Sequence, residues 1–233
     1  MKKLFLLLCL VGTASLFFIG KTSYPKKKTR KEKVPSVTLV EKDTAGPEAR
    51  LRPFLTASGY EFFPDKIAFV VLKEEQIFEL WGKQRDNWKL IKKYPFTAYS
   101  GQLGPKLMQG DKQIPEGVYK ISFLNPNSSY HLSLKINYPN DFDKTKAALE
   151  QRSNLGGDIF IHGKAVTIGC IPLGDKGIEE IFLIASKTID NGIKVIISPL
   201  DFRTIDRLPK IDKISWEAEL YASIQKELQA FHH

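Results

Sequence analysis

The sequence predicts a mainly β domain, a compact sandwich or barrel that also carries a few helices. Many short β-rich runs follow one another from residue 67 onward, and Gly, Pro and polar residues separate them. Two later segments instead repeat apolar residues at helical spacing, and one of them lies near the C-terminus. An apolar content of 42% in 233 residues allows one medium-sized domain with appended segments.

Runs of β-branched and aromatic residues mark the predicted strands. The first two, Ile67–Leu72 and Gln76–Trp81, are separated by three polar residues and predict a hairpin. Further strand-like runs occupy Trp88–Ile91, Phe96–Ser100, Val118–Phe123, Tyr130–Ile136, Asp158–Ile161 and Lys194–Ile197.

Two helices are predicted in the C-terminal part of the chain. The first is expected to be capped by Asp175 and closed by Gly192. The second begins near Ser215 and is expected to pack across the domain, since isolated helices of this length are marginal in water. Its apolar face carries Trp216, Leu220, Ile224, Leu228 and Phe231.

Composition divides the chain into five segments. Residues 1–20 place an apolar run behind two lysines, the layout of a secretory signal peptide or a short membrane anchor. Residues 21–50 are basic and poor in large apolar side chains, which predicts a disordered linker. A lead-in segment at 51–66, the main domain at 67–198 and a helical extension at 199–233 complete the predicted organisation.

The formal net charge of +9 is concentrated at the N-terminus. Residues 1–33 contain nine Lys/Arg and one acidic residue, whereas the 26 bases and 25 acids of the remainder nearly cancel. A nucleic-acid-binding surface needs bases gathered on the folded domain, so no nucleic-acid partner is predicted. The basic arm is interpreted as a solvated linker, with contact to anionic membrane lipid as the alternative. If the apolar run is a retained anchor, the seven bases after it outnumber the two before it and favour a cytoplasmic domain, so two orientations stay open.

The segment that ends at Cys170 holds the strongest candidate site. Cys170 is the only cysteine outside the N-terminal apolar run, and His162 lies eight residues before it. An imidazole can take the proton of a thiol or stabilise the thiolate, which is the nucleophilic form. The amides of Gly169 and Cys170 could donate to an oxyanion. The alternative is a buried structural cysteine beside a core histidine.

Three segments together resemble a known family. The string IHGKAVTIGC, residues 161–170, resembles the active-site segment of the L,D-transpeptidase catalytic domain, or YkuD-like (ErfK/YbiS/YcfS/YnhG), family. Residues 104–119 and 133–143 resemble the subgroup of that family related to YafK. The resemblance extends over about residues 67–198 and implies the family's β sandwich, with the cysteine in a cleft.

The resemblance also implies a role for each site residue. Cys170 is expected to be the nucleophile and His162 the proton acceptor and donor. Thr167 occupies the Ser/Thr position of the family's Ser/Thr-x-Gly-Cys string and is expected to support the site. Gly169 is the glycine before the cysteine in that string, and the oxyanion role of its amide rests on the residues alone. Possible substrate contacts are assigned to Gly163, Tyr119 and His131, with a core aromatic and a strand-face histidine as the alternatives for the last two.

The sequence departs from the commoner family pattern in three ways. The interval between His162 and Cys170 is about half the usual one. Ile168 stands where many members have a second histidine. Cys170 is followed by Ile171-Pro172, whereas an arginine commonly stands two positions after the cysteine and helps to hold substrate. These departures leave the acyl acceptor open.

The implied function is an exported enzyme of the cell envelope that acts on peptidoglycan stem peptides through a thioester acyl-enzyme. The expected reaction is L,D-transpeptidation. The alternatives are an L,D-peptidase that hydrolyses the same bond or releases a wall-linked protein, and a membrane-tethered wall-binding module with an inactive site. No cofactor or metal is expected because the histidines and the cysteine have no metal-ligand spacing. A thiol redox protein is disfavoured because it lacks a resolving cysteine.

Overall fold

The computed structural model describes residues 46–232. The predicted signal or anchor at 1–20 and all but the end of the predicted linker lie outside this range. Of the helices described, none has the length and apolar character needed to cross a membrane.

The described chain contains eight strands, four α-helices and one short 3-10 helix. In chain order these elements are α1 Pro47–Ala57, β1 Ile67–Leu72, β2 Ile77–Gln84, β3 Asn87–Pro95, β4 Gly117–Asn125, β5 Ser133–Ile136, α2 Asp141–Leu149, β6 Phe160–His162, β7 Ile171–Pro172, α3 Gly174–Thr188, the 3-10 helix Ile189–Asn191, β8 Lys194–Ser198 and α4 Glu217–Leu228.

The strands form one mixed sheet in the order β3-β2-β1-β8-β4-β5-β6-β7. The predicted hairpin is confirmed, since β1 and β2 pair antiparallel. Two neighbouring pairs are parallel, β1 with β8 and β6 with β7. The mainly β fold with a C-terminal helix is therefore confirmed, and the short β6–β7 pair forms one end of the sheet.

Both faces of the central strands are buried. Along β1, Phe69 and Val71 contact the core that α1 and α3 cover, whereas Val70 and Leu72 contact a second core beneath α4. A strand buried on both faces needs apolar side chains at every position, not at alternate ones. This explains why the run Ile67–Leu72 is uninterrupted in the sequence.

The C-terminal helix covers the second face as predicted. The five apolar residues expected on one face of it are all buried in the second core, against β1, β2 and β8. Arg203 ties the segment before α4 to the sheet, because its guanidinium donates to both carboxylate oxygens of Glu79, which is fully buried on β2. The segment 199–232 is thus an integral layer of the domain.

Four local predictions need correction. Helix α1 begins at Pro47, so the last residues of the predicted linker are helical. Phe96–Ser100 forms no strand. Asp175 does not cap α3: it lies in the first turn, where its carboxylate accepts from the amide of Lys164. Helix α2 was not predicted, although Asn140 and Asp143 form a reciprocal capping box at its start.

A buried charge network holds the loop between β3 and β4. Lys73 Nζ donates to Glu116 Oε1 at 2.8 Å and to the carbonyls of Gly104 and Ile114. Glu116 also accepts from the amide of Gly104 and from the hydroxyl of Tyr221 on α4. Lys73 and Glu116 are both fully buried, and each polar contact offsets part of the cost of burying them. The network therefore fixes both ends of the segment from Gly104 to Glu116.

The buried carboxyl of Asp143 on α2 is expected to make the free energy of unfolding depend on pH. Burial raises the pKa of its carboxyl from 3.8 to about 6, although the Asn140 amide and the Tyr119 hydroxyl oppose the shift. The stabilising form in the folded state is the protonated one. Its contribution is complete below pH 3.8 and is lost as the pH rises to about 6, by roughly 3 kcal/mol at most.

We expect Asp143→Asn to remove this pH dependence, because an amide resembles the protonated carboxyl. In urea unfolding from pH 4 to pH 7, the variant should gain stability relative to the wild type as the pH rises. Asp141→Asn, at an exposed position of the same helix, is the matched control. A difference between Asp143→Asn and wild type that stays constant over this range would contradict the prediction.

Candidate active site

The β6–β7 pair places His162 and Cys170 on the same side of the sheet. Ile161 pairs with Ile171, and both are fully buried in the main core. Because side chains alternate along a strand, Phe160 and His162 face away from that core, and so does Cys170 immediately before β7. His162 pairs with Pro172, so the two candidate residues are offset by two positions, about 7 Å along the strands.

The surroundings of His162 fix its orientation and tautomer. Its Nδ1 lies 2.6 Å from the carbonyl oxygen of Gly163. A carbonyl can only accept, so Nδ1 carries the proton and Nε2 is the basic nitrogen of the neutral ring. The Tyr130 ring packs on the imidazole at 4.6 Å between centroids. Burial lowers the pKa of His162, although the Gly163 contact opposes this, so the ring is neutral at neutral pH.

The Cys170 thiol is half-buried between two backbone segments. Its Sγ accepts from the amide of Phe160 at 3.5 Å and donates to the carbonyl of Asp158 at 3.7 Å. Burial raises the pKa of the thiol, and the negative charge of Asp158 adds to this, while the Phe160 amide and the positive charge of Lys106 oppose it. The free thiol is therefore protonated at neutral pH.

Thr167 organises the turn that carries Cys170. Its hydroxyl donates to the carbonyl of Cys170 at 2.8 Å and accepts from the amides of Gly169 and Cys170. This corrects the predicted role of Gly169, because both amides proposed to face an oxyanion are engaged by Thr167. Gly169 is still required, since its φ is +129° and a Cβ would lie 2.9 Å from the carbonyl oxygen of Gln113.

No hydrogen bond joins Cys170 to the His162 ring within residues 46–232. Catalytic contacts are often long without substrate and tighten when it binds. The arrangement is a neutral thiol and a neutral base with its Nε2 unprotonated. This pair suits a mechanism in which the histidine takes the thiol proton as the nucleophile attacks, and it does not suit a stable ion pair between the two side chains.

Gly163, which follows His162, packs against the backbone of Tyr130 and the side chain of His131. The Gly163 amide donates to the carbonyls of Tyr130 and Leu132, and a Cβ there would lie 2.7 Å from the Tyr130 carbonyl oxygen. His131 lies beside Gly163, but its Nε2 contacts Glu179 on α3 at 2.8 Å. It lies in the loop before β5, with a φ of +76°, so neither strand-face placement nor a free substrate-binding ring is observed.

Tyr119 is not available to a substrate. It is buried in the main core, where its hydroxyl contacts the carbonyl of Glu116 and the carboxylate of Asp143, and its ring packs against Tyr138. The possible substrate role predicted for it is therefore wrong, and the alternative of a core aromatic is correct.

The loop from Gly104 to Gln113 brings a residue to the site that the sequence reasoning did not identify. Lys106 is buried, and its ammonium group donates to Asp111 at 2.5 Å and to the carbonyl of Met108 at 2.8 Å. Its positive charge opposes the rise in the pKa of the Cys170 thiol. The signal was present as the string GPKLMQGD, but a lysine among Gly and Pro residues reads as exposed.

A groove of about 420 Å³ borders the same loop. Residues from the stretch 102–113 line one wall, and residues 210–213 of the C-terminal segment line the other. Gln113 belongs to this groove, and its carbonyl oxygen faces Gly169. Among the described residues, no group of three or more His, Cys, Asp or Glu side chains could hold a metal ion.

Comparison with known sequences assigns the family. Residues 65–197, which are 133 of the 233, match the profile of YkuD, the L,D-transpeptidase catalytic domain. The chain belongs to the L,D-transpeptidase catalytic domain family. Within the family, it is 35% identical over 150 residues to the YafK protein of Escherichia coli (strain K12). That match covers 62% of this chain and 58% of YafK, so it spans little more than half the length of that relative.

Two solved structures similar to this domain are bacterial proteins. The helical cell shape determining protein Pgp2 from Campylobacter jejuni has a TM-score of 0.48 and 17% identity, over 77% of this chain and 77% of that chain. Bd1075 from Bdellovibrio bacteriovorus has a TM-score of 0.41 and 22% identity, over 74% of this chain and 57% of that chain.

Proposed function

We propose that this chain is a cysteine-dependent L,D-transpeptidase that acts on peptidoglycan stem peptides through a thioester acyl-enzyme. The observation that carries the proposal is the placement of Cys170 and His162 on one side of adjacent strands, with the proton of the imidazole fixed on Nδ1. Membership of the family supports the substrate class. The groove beside the Gly169 turn has the size of a peptide-binding site and is proposed to take the stem peptide.

The first half-reaction forms the thioester. His162 Nε2 takes the thiol proton while Cys170 Sγ attacks the amide carbonyl between the diamino acid and the following D-residue. The C–N bond then breaks, and the proton on Nε2 passes to the leaving amine. Thr167 supports this step by holding the turn at Cys170. We assign no oxyanion role to the Gly169 amide, because Thr167 engages it.

The second half-reaction decides the product. An amine from another stem peptide, or from an attached protein, attacks the thioester and loses a proton to His162 as the thiol is regenerated. Water in the same position gives an L,D-peptidase, which would shorten stems or release a wall-linked protein. Both routes share the first half-reaction, so the residues that form the thioester serve either one.

We expect the purified full chain to convert muropeptides, and Cys170→Ala to form no product, because the variant has no nucleophile. Mass spectrometry identifies the route: new cross-links indicate a transferase, and shortened or released stems indicate a peptidase. The variant should still bind muropeptides. Absence of any product with the wild type, together with equal binding by both proteins, would contradict the enzyme and support a wall-binding module with an inactive site.

We further propose that the domain lies outside the cytoplasm, with the N-terminal segment as signal or inner-membrane contact. The proposed substrate supports this location, since stem peptides belong to the cell envelope. A reporter that is active only after export, fused behind residue 45, tests it. An inactive reporter would place the domain in the cytoplasm.

A further inference from the structure

Lys106 is a buried cation in the loop that packs against the turn before Cys170, where the Gln113 carbonyl oxygen faces Gly169. Its side chain is only 4% exposed, which is unusual for a lysine without a structural or chemical reason. The ammonium group donates to Asp111 Oδ1 and to the carbonyl of Met108. Two acceptors leave one of its three N–H groups without a partner among residues 46–232.

Asp111 holds this ammonium group in place. Its carboxylate accepts from the backbone amides of Leu107, Met108 and Gln113 as well as from Lys106. These contacts keep the pKa of the Asp111 carboxyl below its ordinary value against the effect of burial, so the carboxylate is ionised at neutral pH. A lysine tied to a rigid, charged turn keeps a defined position, whereas a free lysine side chain samples many.

Three contacts hold the loop from Gly104 to Gln113 against residues 152–155, which lead to Asp158. The amide of Gln109 donates to the carbonyl of Asn154, and the guanidinium of Arg152 donates to the carbonyl of Leu107. The hydroxyl of Tyr138 lies between the two backbone segments, 3.0 Å from the carbonyl oxygen of Leu155, to which it donates, and 3.4 Å from that of Lys106. The Cys170 thiol contacts the carbonyl of Asp158 at the end of this segment. The loop and Cys170 are therefore both packed against the same segment.

Few charged groups influence the Cys170 thiol. Lys106 is the cation among them, and its partner Asp111 lies in the same loop. Asp158 is the anion, and Lys135 on β5 pairs with it at 2.5 Å. His162 on β6 is neutral, so it supplies no positive charge before the reaction. The segment after Cys170 is Ile171-Pro172, which supplies none either.

We propose that Lys106 is a positioning residue of the active site, whose ammonium group stabilises the Cys170 thiolate as the thiol loses its proton. The loop between β3 and β4 thereby supplies the positive charge that the chain after Cys170 lacks. The inference rests on the proposed role of Cys170 as nucleophile. It concerns the ionisation of the thiol, which can be measured without a peptidoglycan substrate.

Alkylation of Cys170 by iodoacetamide as a function of pH tests the proposal on the full chain. Since Cys9 is the other cysteine, the rate is followed on the Cys170 peptide by mass spectrometry. We expect Lys106→Met to raise the pKa of the thiol by about one, which lowers the rate about tenfold at a fixed pH below that pKa. Lys106→Arg keeps the charge and should stay within about twofold of the wild type.

Lys146→Met is the matched control, because Lys146 on α2 is also largely buried and paired, with Glu219, but does not act on Cys170. It should leave the alkylation profile unchanged. If Lys106→Met does not fold, Lys106→Gln retains donors for Asp111 and Met108 without the charge and is read in the same way. A folded, uncharged variant with the wild-type alkylation profile overturns the proposal.

The muropeptide assay separates this result from the proposed function. A shifted alkylation profile with no muropeptide product retains the role of Lys106 and rejects the transpeptidase. A wild-type profile in Lys106→Met with normal product rejects the role of Lys106 and retains the enzyme. We expect a shifted profile together with slower thioester formation, and the loss should diminish as the pH of the assay is raised.

Discussion

Replacing Glu116 by alanine is expected to lower the free energy of unfolding by about 3–5 kcal/mol. The change leaves the fully buried ammonium group of Lys73 without its counter-charge, and it removes an acceptor from the amide of Gly104 and from the hydroxyl of Tyr221. An uncompensated buried charge is among the most destabilising consequences of a single substitution. Urea unfolding at neutral pH measures the effect.

Two further variants locate the cause. Glu48→Ala removes the exposed partner of Arg52 on α1 and should cost less than about 1 kcal/mol. Combining Glu116→Leu with Lys73→Met removes both charges and should recover part of the lost stability, because no buried ion is then unpaired. A loss below about 1 kcal/mol for Glu116→Ala would show that the network adds little to the stability of the domain.

His162→Gln is expected to slow thioester formation by about a hundredfold to ten-thousandfold, the range that a positioned acid–base group contributes. The glutamine can still donate toward the Gly163 carbonyl, but it cannot carry the thiol proton to the leaving amine. Single-turnover acylation with a muropeptide, followed by mass spectrometry of the acyl-enzyme, measures the rate.

His131→Gln is the control for this change, since His131 is a half-exposed histidine that contacts Glu179 and lies beside Gly163. It should change the acylation rate less than about threefold. Equal rates for His162→Gln and the wild type would mean that another group accepts the thiol proton.

The strands and the C-terminal helix were predictable because their apolar patterns are strong. The run Ile67–Leu72 is apolar at every position, and the stripe from Trp216 to Phe231 follows the helical period. Helix α1 is less apolar, contains Pro53 and follows a basic segment, so composition assigned its start to the linker. Helix α2 is short, and its capping box was the one local signal of its start.

The two candidate residues of the site, Cys170 and His162, were predictable from the sequence, but their surroundings were not. Cys170 and His162 carry chemistry that few other residues can supply, so their proximity in sequence is informative. The position of Lys106 depends on a loop that is distant in sequence and folds against residues 152–155. Whether the Gly169 amide faces a substrate or Thr167 depends on a local turn geometry that residue types do not determine.

The second core limits where this domain can be cut or fused to another protein without exposing apolar surface. The segment that matches the family profile ends at residue 197, whereas the layer that shields Val70, Leu72 and Ile196 from water is formed by α4, some twenty residues later. A proteolytic cut or a gene fusion at the end of the profile match would leave Cys170 and His162 in place. It would also expose one whole side of the central strands, a surface prone to aggregation. The end of the profile match and the end of the folding unit are therefore different positions in this chain.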